Sequence, residues 1–157
     1  MKPALTRTER SQILGETLQF MQRLWDLVHA LEVQSRRMAV TLGVTGPQRL
    51  AIRVLGRAPG ITAGDLATIL GLHPSTITGI LKRLEGQALI ARKVDAEDRR
   101  RVRFWLTARG RRVDGERKGT VEASVRRALG RADTTTRKRA TQMIELLTLE
   151  LSRESPR

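Results

Sequence analysis

The stretch PSTITGILKRLEGQALIARKVDAEDRRRVRFWLT, residues 74–107, decides the fold because its hydrophobic period changes halfway along. The apolar residues of its first part follow i, i+3, i+4, i+7 spacing, which predicts a helix that begins at Pro74. The buried side of that helix would consist of Ile77, Ile80, Leu81 and Leu84. In the second part, apolar and polar residues alternate on both sides of a polar turn at 95–98, which predicts strands at 89–94 and 101–106. The stretch therefore predicts a helix followed directly by an antiparallel hairpin.

A second, shorter helix is predicted immediately before this stretch. Thr62, with Asp65 three residues later, has the spacing of a capping box and predicts a helix that ends at Leu70. Gly71 supplies the turn between the two helices. Two short helices joined at a glycine, the second with a small-polar and basic face, are typical of a helix-turn-helix, whose second helix enters the major groove of DNA. That face carries Ser75, Thr78, Gly79, Lys82 and Arg83.

The whole chain is strongly basic. Its 157 residues carry 30 Lys and Arg against 16 Asp and Glu, a formal net charge of +14. Nine basic and three acidic residues lie between Arg92 and Arg112, so the excess charge is concentrated on and after the predicted hairpin. A positive field of this kind favours a polyanionic partner, and nucleic acid is the first candidate.

The composition excludes several other classes of protein. There is no cysteine, which removes disulfides, thiol chemistry and cysteine-based zinc sites. Four aromatic residues and no tyrosine argue against a base-stacking sheet of the RNA-recognition type. No window has the ~18 consecutive apolar residues of a membrane-spanning helix, and residues 1–3 do not begin a signal peptide. We therefore expect a cytoplasmic chain with no membrane partner.

Long terminal segments flank the predicted DNA-binding region. The proline-free segment 9–42 predicts one helix with two apolar stripes, while residues 108–157 predict a helix to about Leu129 and another from Asp133 or Thr134 to about Leu151. The stripes of the first helix are Leu14, Leu18, Met21, Trp25 and Val28, and Leu24, Leu27, Leu31, Met38 and Leu42. So much apolar surface predicts packing against a second subunit, the alternative being a core helix within one chain.

The expected fold is mainly α with a small β-hairpin wing, that is, a winged helix-turn-helix domain plus N- and C-terminal dimerisation helices. We divide it into a basic N-terminal arm (residues 1–7) and dimerisation helix at 1–43, a DNA-binding domain at 44–107 and C-terminal dimerisation helices at 108–157.

A set of short motifs runs along almost the whole chain. Asp98-Arg99-Arg100 stands ahead of Leu106-Thr107 and Gly110, a D-x-R sequence before L-T-x-x-G. The helical motifs are Thr45-Gly46-Pro47-Gln48, Leu66-Ala67, Leu70-Gly71-Leu72 and Ser75-Thr76-Ile77-Thr78. With these motifs the chain resembles the MarR family of winged helix-turn-helix transcription regulators, and the wing signature is the most specific of them. Ala88 departs from the pattern, since the family usually has glycine after the recognition helix.

The resemblance implies a homodimer whose winged domains bind half-sites of a near-palindromic operator in double-stranded DNA. Recognition helices related by a dyad would lie about one helical turn, ~34 Å, apart. It also implies a repressor that loses DNA affinity when a small, often aromatic, effector binds. The alternative is a sequence-tolerant architectural DNA-binding or RNA-binding protein. We expect no enzymatic activity, because the sequence has no phosphate-binding glycine loop and no paired-carboxylate or histidine-centred constellation.

The predicted DNA contacts lie on the recognition helix and at the tip of the hairpin. They are Ser75, Thr76, Thr78, Lys82 and Arg83 on the helix, and Arg99, Arg100 and Arg101 at the tip. The resemblance points to Arg100 as the residue inserted into an A·T-rich minor groove, with Asp98 holding a neighbouring arginine by a bidentate pair. The alternatives are a solvated helix face and a basic loop that contacts phosphates without sequence preference.

Other candidate sites are weaker. The family's effector pocket lies between the dimerisation helices and the winged domain, so Phe20, Met21 and Trp25 are candidates to line it, the alternative being a core or dimer-seam role. His29 has Asp26 and Glu32 at helical spacing, but such sets are common on charged helices, and we expect no metal and no cofactor. His73, directly before the recognition helix, is expected to cap it or to contact phosphate.

Overall fold

The computed structural model describes residues 7–153, with side-chain environments from residue 15 onward. It is mainly helical with one small antiparallel sheet, which confirms the predicted fold class. The first of two compact units, which ends at Arg117, contains α1 (Arg7–Leu42), α2 (Gly46–Arg57), β1 (Ile61–Thr62), α3 (Ala63–Leu70), α4 (Pro74–Gly86), β2 (Ile90–Val94), β3 (Val102–Leu106) and α5 (Ala108–Gly115). The second unit, which begins at Lys118, contains α6 (Val121–Arg131) and α7 (Thr134–Arg153).

Local caps and turns define the helix-turn-helix. The backbone N–H of Asp65 donates to Thr62 Oγ1 over 3.2 Å at the start of α3, as the spacing predicts. Gly71 ends α3 in the left-handed conformation (φ 61°), which glycine adopts without strain. Pro74 occupies the first turn of α4, where its missing N–H costs nothing. The chain therefore turns sharply between α3 and α4 within a few residues.

The sheet has the strand order β1-β3-β2, and both pairs are antiparallel. Ile90 pairs with Leu106, which makes β2 and β3 the predicted hairpin, and Ile61 pairs with Phe104 on the other side of β3. The inward residues of the sheet join one face each of α2, α3 and α4 in a single hydrophobic core. Its buried members are Val44, Ala51, Ile52, Leu55, Leu66, Ala67, Ile77, Ile80, Leu81, Leu84, Leu89, Ile90, Phe104 and Leu106. One core thus holds both α4 and the hairpin.

The start of α5 gives a physical reason for the L-T-x-x-G motif. Thr107 caps the helix, because its Oγ1 accepts a hydrogen bond from Gly110 N (3.0 Å) and donates one to Ala88 O (2.8 Å). A Cβ built on Gly110 would lie 2.0 Å from the carbonyl oxygen of Leu89. Glycine at this position therefore lets α5 pack directly against the backbone that leads into β2.

The end of α5 is held by two arginines of α2, an arrangement that no spacing pattern in the sequence predicts. Arg49 is 1% exposed and donates to the carbonyl oxygens of Val113, Asp114 (3.3 Å) and Glu116 (2.7 Å). Arg53 forms an ion pair of 2.6 Å with the Asp114 carboxylate. The last carbonyl groups of a helix have no partner within the helix, and these cations supply one.

Two helices that were predicted to be continuous are interrupted. α1 contains a non-helical residue at Gly15 (φ 63°, ψ 173°), although 9–42 was predicted as one helix. The segment 108–129, also predicted as one helix, is divided into α5 and α6 by residues 116–120, where Gly119 has φ 66°. Glycine has no Cβ to disfavour positive φ, and the helical spacing of the apolar residues continues across both breaks.

Ala88 adopts the left-handed conformation (φ 55°) after the end of α4 at Gly86. This is the position at which the resemblance leads us to expect glycine, and a side chain there is strained. The chain keeps the backbone turn although the usual residue is missing.

Some expectations are not tested. Except for Arg7, the basic arm at residues 1–7 lies outside the described residues, as does the side chain of Leu14. The three-part division at 1–43, 44–107 and 108–157 stays a prediction. Within residues 7–153, no helix is both long enough and apolar enough to span a membrane.

Candidate nucleic-acid interface

α4 has one buried side and one exposed side. The buried residues are those predicted from the spacing: Ile77, Ile80, Leu81 and Leu84. The side chains predicted to contact DNA are all exposed: Ser75, Thr76, Thr78, Lys82 and Arg83. The core therefore anchors the helix and leaves a polar, basic face accessible.

The N-terminal end of α4 is ordered by side-chain hydrogen bonds. Nδ1 of His73 accepts from Ser75 N (3.3 Å) and lies 2.7 Å from Ser75 Oγ, so the expected capping role is confirmed. Thr78 Oγ1 donates to Pro74 O (2.9 Å), and its oxygen keeps lone pairs for a further donor. These contacts restrain two hydroxyl side chains at the end of the helix whose partial positive charge favours an anion such as phosphate.

A buried carboxylate organises the hairpin turn. Asp95 Oδ1 accepts from the backbone N–H groups of Glu97 (2.9 Å) and Asp98 (3.4 Å), and Oδ2 accepts from Nε of Arg103. Asp95 is 9% exposed. The bond from Glu97 N, followed by that from the Arg103 side chain, holds the pKa of Asp95 below its ordinary value of 3.8. The carboxylate is therefore ionised at neutral pH and fixes the shape of the turn.

Asp98 contacts two of the arginines that follow it. Its Oδ1 accepts from Arg100 N (3.0 Å), and its Oδ2 lies 3.4 Å from Nε of Arg101. The expectation that Asp98 holds a neighbouring arginine is thus met through an ion pair. At 3.4 Å this pair is not the short, parallel, bidentate arrangement that was expected, because the carboxylate also bonds the backbone of the turn.

α4 and the hairpin turn border one cleft of about 750 Å³, with the start of α3 on its third side. Thr78 and Lys82 of α4 line it together with Arg100 and Arg101 of the turn. The structure therefore brings together four of the predicted DNA contacts. The remaining four are exposed but are not among the lining residues: Ser75, Thr76, Arg83 and Arg99.

An ion pair inside this cleft was not predicted. Nε of Arg92, on β2, lies 2.9 Å from Oε1 of Glu85, on α4, and both residues line the cleft. The pair ties the hairpin to the recognition helix. Arg92 is one of the basic residues of the hairpin, but no local pattern indicates its partner on another element.

The effector candidates stay a prediction. Phe20, Met21 and Trp25 on α1 are 42%, 42% and 62% exposed, and none of them lines the cleft. Among the described residues, no group of three potential metal ligands is close enough to hold an ion, and this includes the set around His29.

The fold and these motifs can be compared with known proteins. The sequence profile of the MarR family matches residues 42–101. The chain is 29% identical over 106 residues to the HTH-type transcriptional repressor Rv2887 of Mycobacterium tuberculosis, which covers 68% of this chain and 76% of that protein. Its structure is similar to that of the transcriptional regulator SlyA (TM-score 0.69, 21% identity, 86% of this chain and 95% of the other). It is also similar to MepR of S. aureus in a complex with DNA (TM-score 0.67, 24% identity, 88% and 98%).

The structural likenesses show a shared fold, and the sequence match covers α2 to the hairpin turn, a region that contains most of the residues that line the cleft. Over residues 42–101, the chain is similar in sequence to the MarR family.

Proposed function

We propose that the chain is a sequence-specific DNA-binding transcriptional regulator that acts as a homodimer on a near-palindromic operator. The observation that carries this proposal is the cleft at which Thr78 and Lys82 of α4 meet Arg100 and Arg101 of the hairpin turn. α4 would enter the major groove, and the turn would reach the adjacent minor groove. MepR, which shares the fold, has been solved as a DNA complex, and this supports the same use of the surface here.

The two sides of the cleft would have different roles. Hydroxyl groups such as Ser75 and Thr78 can contact either base edges or phosphates, and they set the register of α4 more than they select a sequence. Lys82 would neutralise a phosphate. Arg100 would carry the preference for A·T-rich flanks, because a narrow minor groove has a strong negative potential.

Exposed apolar side chains support the homodimer. On α1 they are Leu18, Phe20, Met21, Trp25, Leu27, Leu31 and Val40, and on α7 they are Met143, Ile144, Leu146, Leu149 and Leu151. Contiguous exposed apolar side chains of this kind mark a surface that binds another protein. A second copy of the chain, covering both surfaces, would bury it.

We further propose that the protein represses transcription by occupying its operator and that a small aromatic effector lowers its affinity. Rv2887 is named a repressor. Phe20, Met21 and Trp25 are the residues that we propose for the effector site. Such a ligand acts only through a difference in its affinity for two arrangements of the recognition helices. The proposal includes no enzymatic step.

The first test is a binding selection from random DNA duplexes at two salt concentrations, together with the mass of the protein in solution. Recovery of an inverted repeat by a dimer is the expected result. The net charge of +14 also suits a sequence-tolerant architectural binder. Recovery of unrelated sequences with a steep salt dependence would favour that alternative and contradict an operator-specific regulator.

Single substitutions then test the two sides of the cleft. Arg100→Ala should weaken operator binding and reduce the preference for A·T-rich flanks, whereas Lys82→Ala should weaken all sequences alike and lower the salt slope by about one ion. Arg23→Ala is the matched control, because Arg23 is an exposed arginine on α1, paired with Asp26, outside the cleft. Binding by both cleft variants equal to that of the control would contradict the proposed docking.

A further inference from the structure

Arg103 joins two turns that are far apart in the sequence. It lies on β3, the central strand, where its neighbours across the sheet are Thr62 on β1 and Lys93 on β2. Its Nε donates to Asp95 Oδ2 in the hairpin turn. Its NH1 donates over 3.2 Å to the carbonyl oxygen of Gly60, in the turn between α2 and β1. One guanidinium group therefore spans from the fixed part of the domain to the hairpin turn.

The Gly60 end of this link is firmly held. Gly60 N donates to Phe104 O over 2.8 Å, and Phe104 belongs to the core. Gly60 has φ 82°, and a Cβ built on it would lie 3.3 Å from the ring of Trp105. The turn is thus packed against the outer face of β3, on which Arg103 also lies because it is two residues from Trp105.

The other contacts of the hairpin turn lie within the turn itself, such as Asp95 N to Arg101 O (2.8 Å) and Arg100 N to Asp98 Oδ1 (3.0 Å). The last paired residues of the hairpin are Val94 and Val102. Val102 packs against the core, whereas Val94 is 60% exposed, so the core ends at this pair and does not include the turn. Two strands without further packing are marginally stable in water. Beyond that pair, the buried carboxylate of Asp95 receives two backbone hydrogen bonds of the turn, and Arg103 is its side-chain partner and links it to a turn outside the hairpin.

We propose that Arg103 is a positioning residue for DNA binding, which fixes the hairpin turn and its Arg100 relative to the recognition helix by bridging Asp95 and Gly60. This inference rests on the proposed function. A turn that is already ordered avoids the entropic cost of being fixed when it binds. The guanidinium suits the task because its separate N–H groups point to two acceptors at once, whereas the ammonium of lysine is a single centre.

The test compares Arg103→Met, Arg103→Lys and the control Lys93→Met. Lys93 is an exposed cross-strand neighbour of Arg103, so the control removes the same charge from the same part of the hairpin. Affinities are measured for the selected operator and for a version with its A·T flanks changed to G·C. Arg103→Met should reduce the ratio of the two affinities by about fivefold, the lower end of the effect of one lost base-pair preference. Lys93→Met should lower both affinities and leave their ratio unchanged. Arg103→Lys should give a ratio between those of Arg103→Met and the parent protein.

Amide hydrogen exchange gives a second readout that needs no DNA. Arg103→Met should raise the exchange rates of the Glu97 and Asp98 amides by about tenfold, since both bond to Asp95, while those of α4 stay unchanged. Asp95→Asn should do the same, and the double variant should add nothing to either single change, as expected when two residues act through each other.

The outcomes separate this inference from the proposed function. The positioning role would be overturned if Arg103→Met left unchanged either the ratio of affinities for the two operator versions or the exchange rates of the Glu97 and Asp98 amides. This holds even if the parent protein binds its operator with high specificity. A parent protein without sequence preference would overturn the proposed function, whereas the exchange rates would still decide whether Arg103 holds the turn. If Arg103→Met fails to fold, the comparison of Arg103→Lys and Asp95→Asn with Lys93→Met decides in its place.

Discussion

Replacing Gly110 by alanine should lower the free energy of unfolding by about 3 kcal/mol, although it adds only one methyl group. The new Cβ would lie 2.0 Å from the Leu89 carbonyl oxygen, 3.0 Å from its carbon and 3.3 Å from Cδ2 of Leu106. The closest atom belongs to the backbone and cannot rotate away. To reach even 3.0 Å, α5 and the chain at Leu89 must separate by 1.0 Å.

Two costs make up this estimate. Overpacking of a well-packed core typically costs about 1–3 kcal/mol. The separation also stretches the hydrogen bond from Thr107 N to Leu89 O, which is 3.0 Å long, and a bond of this kind contributes about 0.5–1.5 kcal/mol. The loss should therefore fall well outside the error of an unfolding experiment.

The assay is denaturant unfolding followed by circular dichroism at one fixed protein concentration, because association would change the apparent stability. Gly115→Ala is the matched control, since Gly115 is in the same helix and nothing lies within 4 Å of its added Cβ. That variant should be unchanged or up to about 1 kcal/mol more stable. Equal unfolding midpoints for the two variants would refute the close approach of α5 to Leu89.

Three further changes test other parts of the structure. Arg49→Met keeps the apolar stem of the side chain but removes the donor to the last carbonyl groups of α5, so the free energy of unfolding should fall by about 2–4 kcal/mol. An unaltered thermal midpoint would show that the cap is dispensable. Asp95 has a lowered pKa in the folded chain, so its stabilisation is complete above its unfolded value of 3.8 and is lost as the pH falls below that value. Asp95→Asn should therefore lose less stability than the parent between about pH 5 and pH 2, and parallel pH profiles would contradict the contribution of this carboxylate. Exchanging Leu18 and Trp25 together for glutamate should give monomers with poor DNA affinity in sedimentation and binding experiments, and a dimer that persists would place the interface elsewhere.

The helix-turn-helix and the hairpin could be predicted because their signals are local. Periodic apolar residues, a capping threonine, a proline in the first turn and a glycine after the last turn place both ends of α3 and the start of α4 to within a residue. The strands predicted at 89–94 and 101–106 begin one residue later in the structure, at Ile90 and Val102. The breaks at Gly15 and at 116–120 were missed because glycine lowers helix propensity without deciding where a helix ends.

The candidate site also contains some residues that local sequence patterns predict and others that they do not. The exposed residues of α4 and the arginines of the turn follow from period and composition. Arg49 contacts residues more than 60 positions away, which no window of sequence contains. Arg92 and Glu85, and Arg103 and Asp95, are close in the sequence, but neither helical nor strand spacing indicates that they pair. In a chain with 30 basic residues, each such arginine is indistinguishable by sequence from a solvated one.

The left-handed conformation of Ala88 identifies a position at which the stability of the protein could be raised. Its neighbours leave it little choice of conformation, because Leu89 N bonds to Leu84 O over 2.9 Å and the carbonyl oxygen of Ala88 itself accepts from Thr107. A non-glycine residue in this conformation carries about 1–2 kcal/mol of strain. Removal of one methyl group, in Ala88→Gly, would relieve it without altering any side chain of the cleft. This single substitution would therefore raise the free energy of unfolding, and the gain could offset destabilising substitutions elsewhere in the chain.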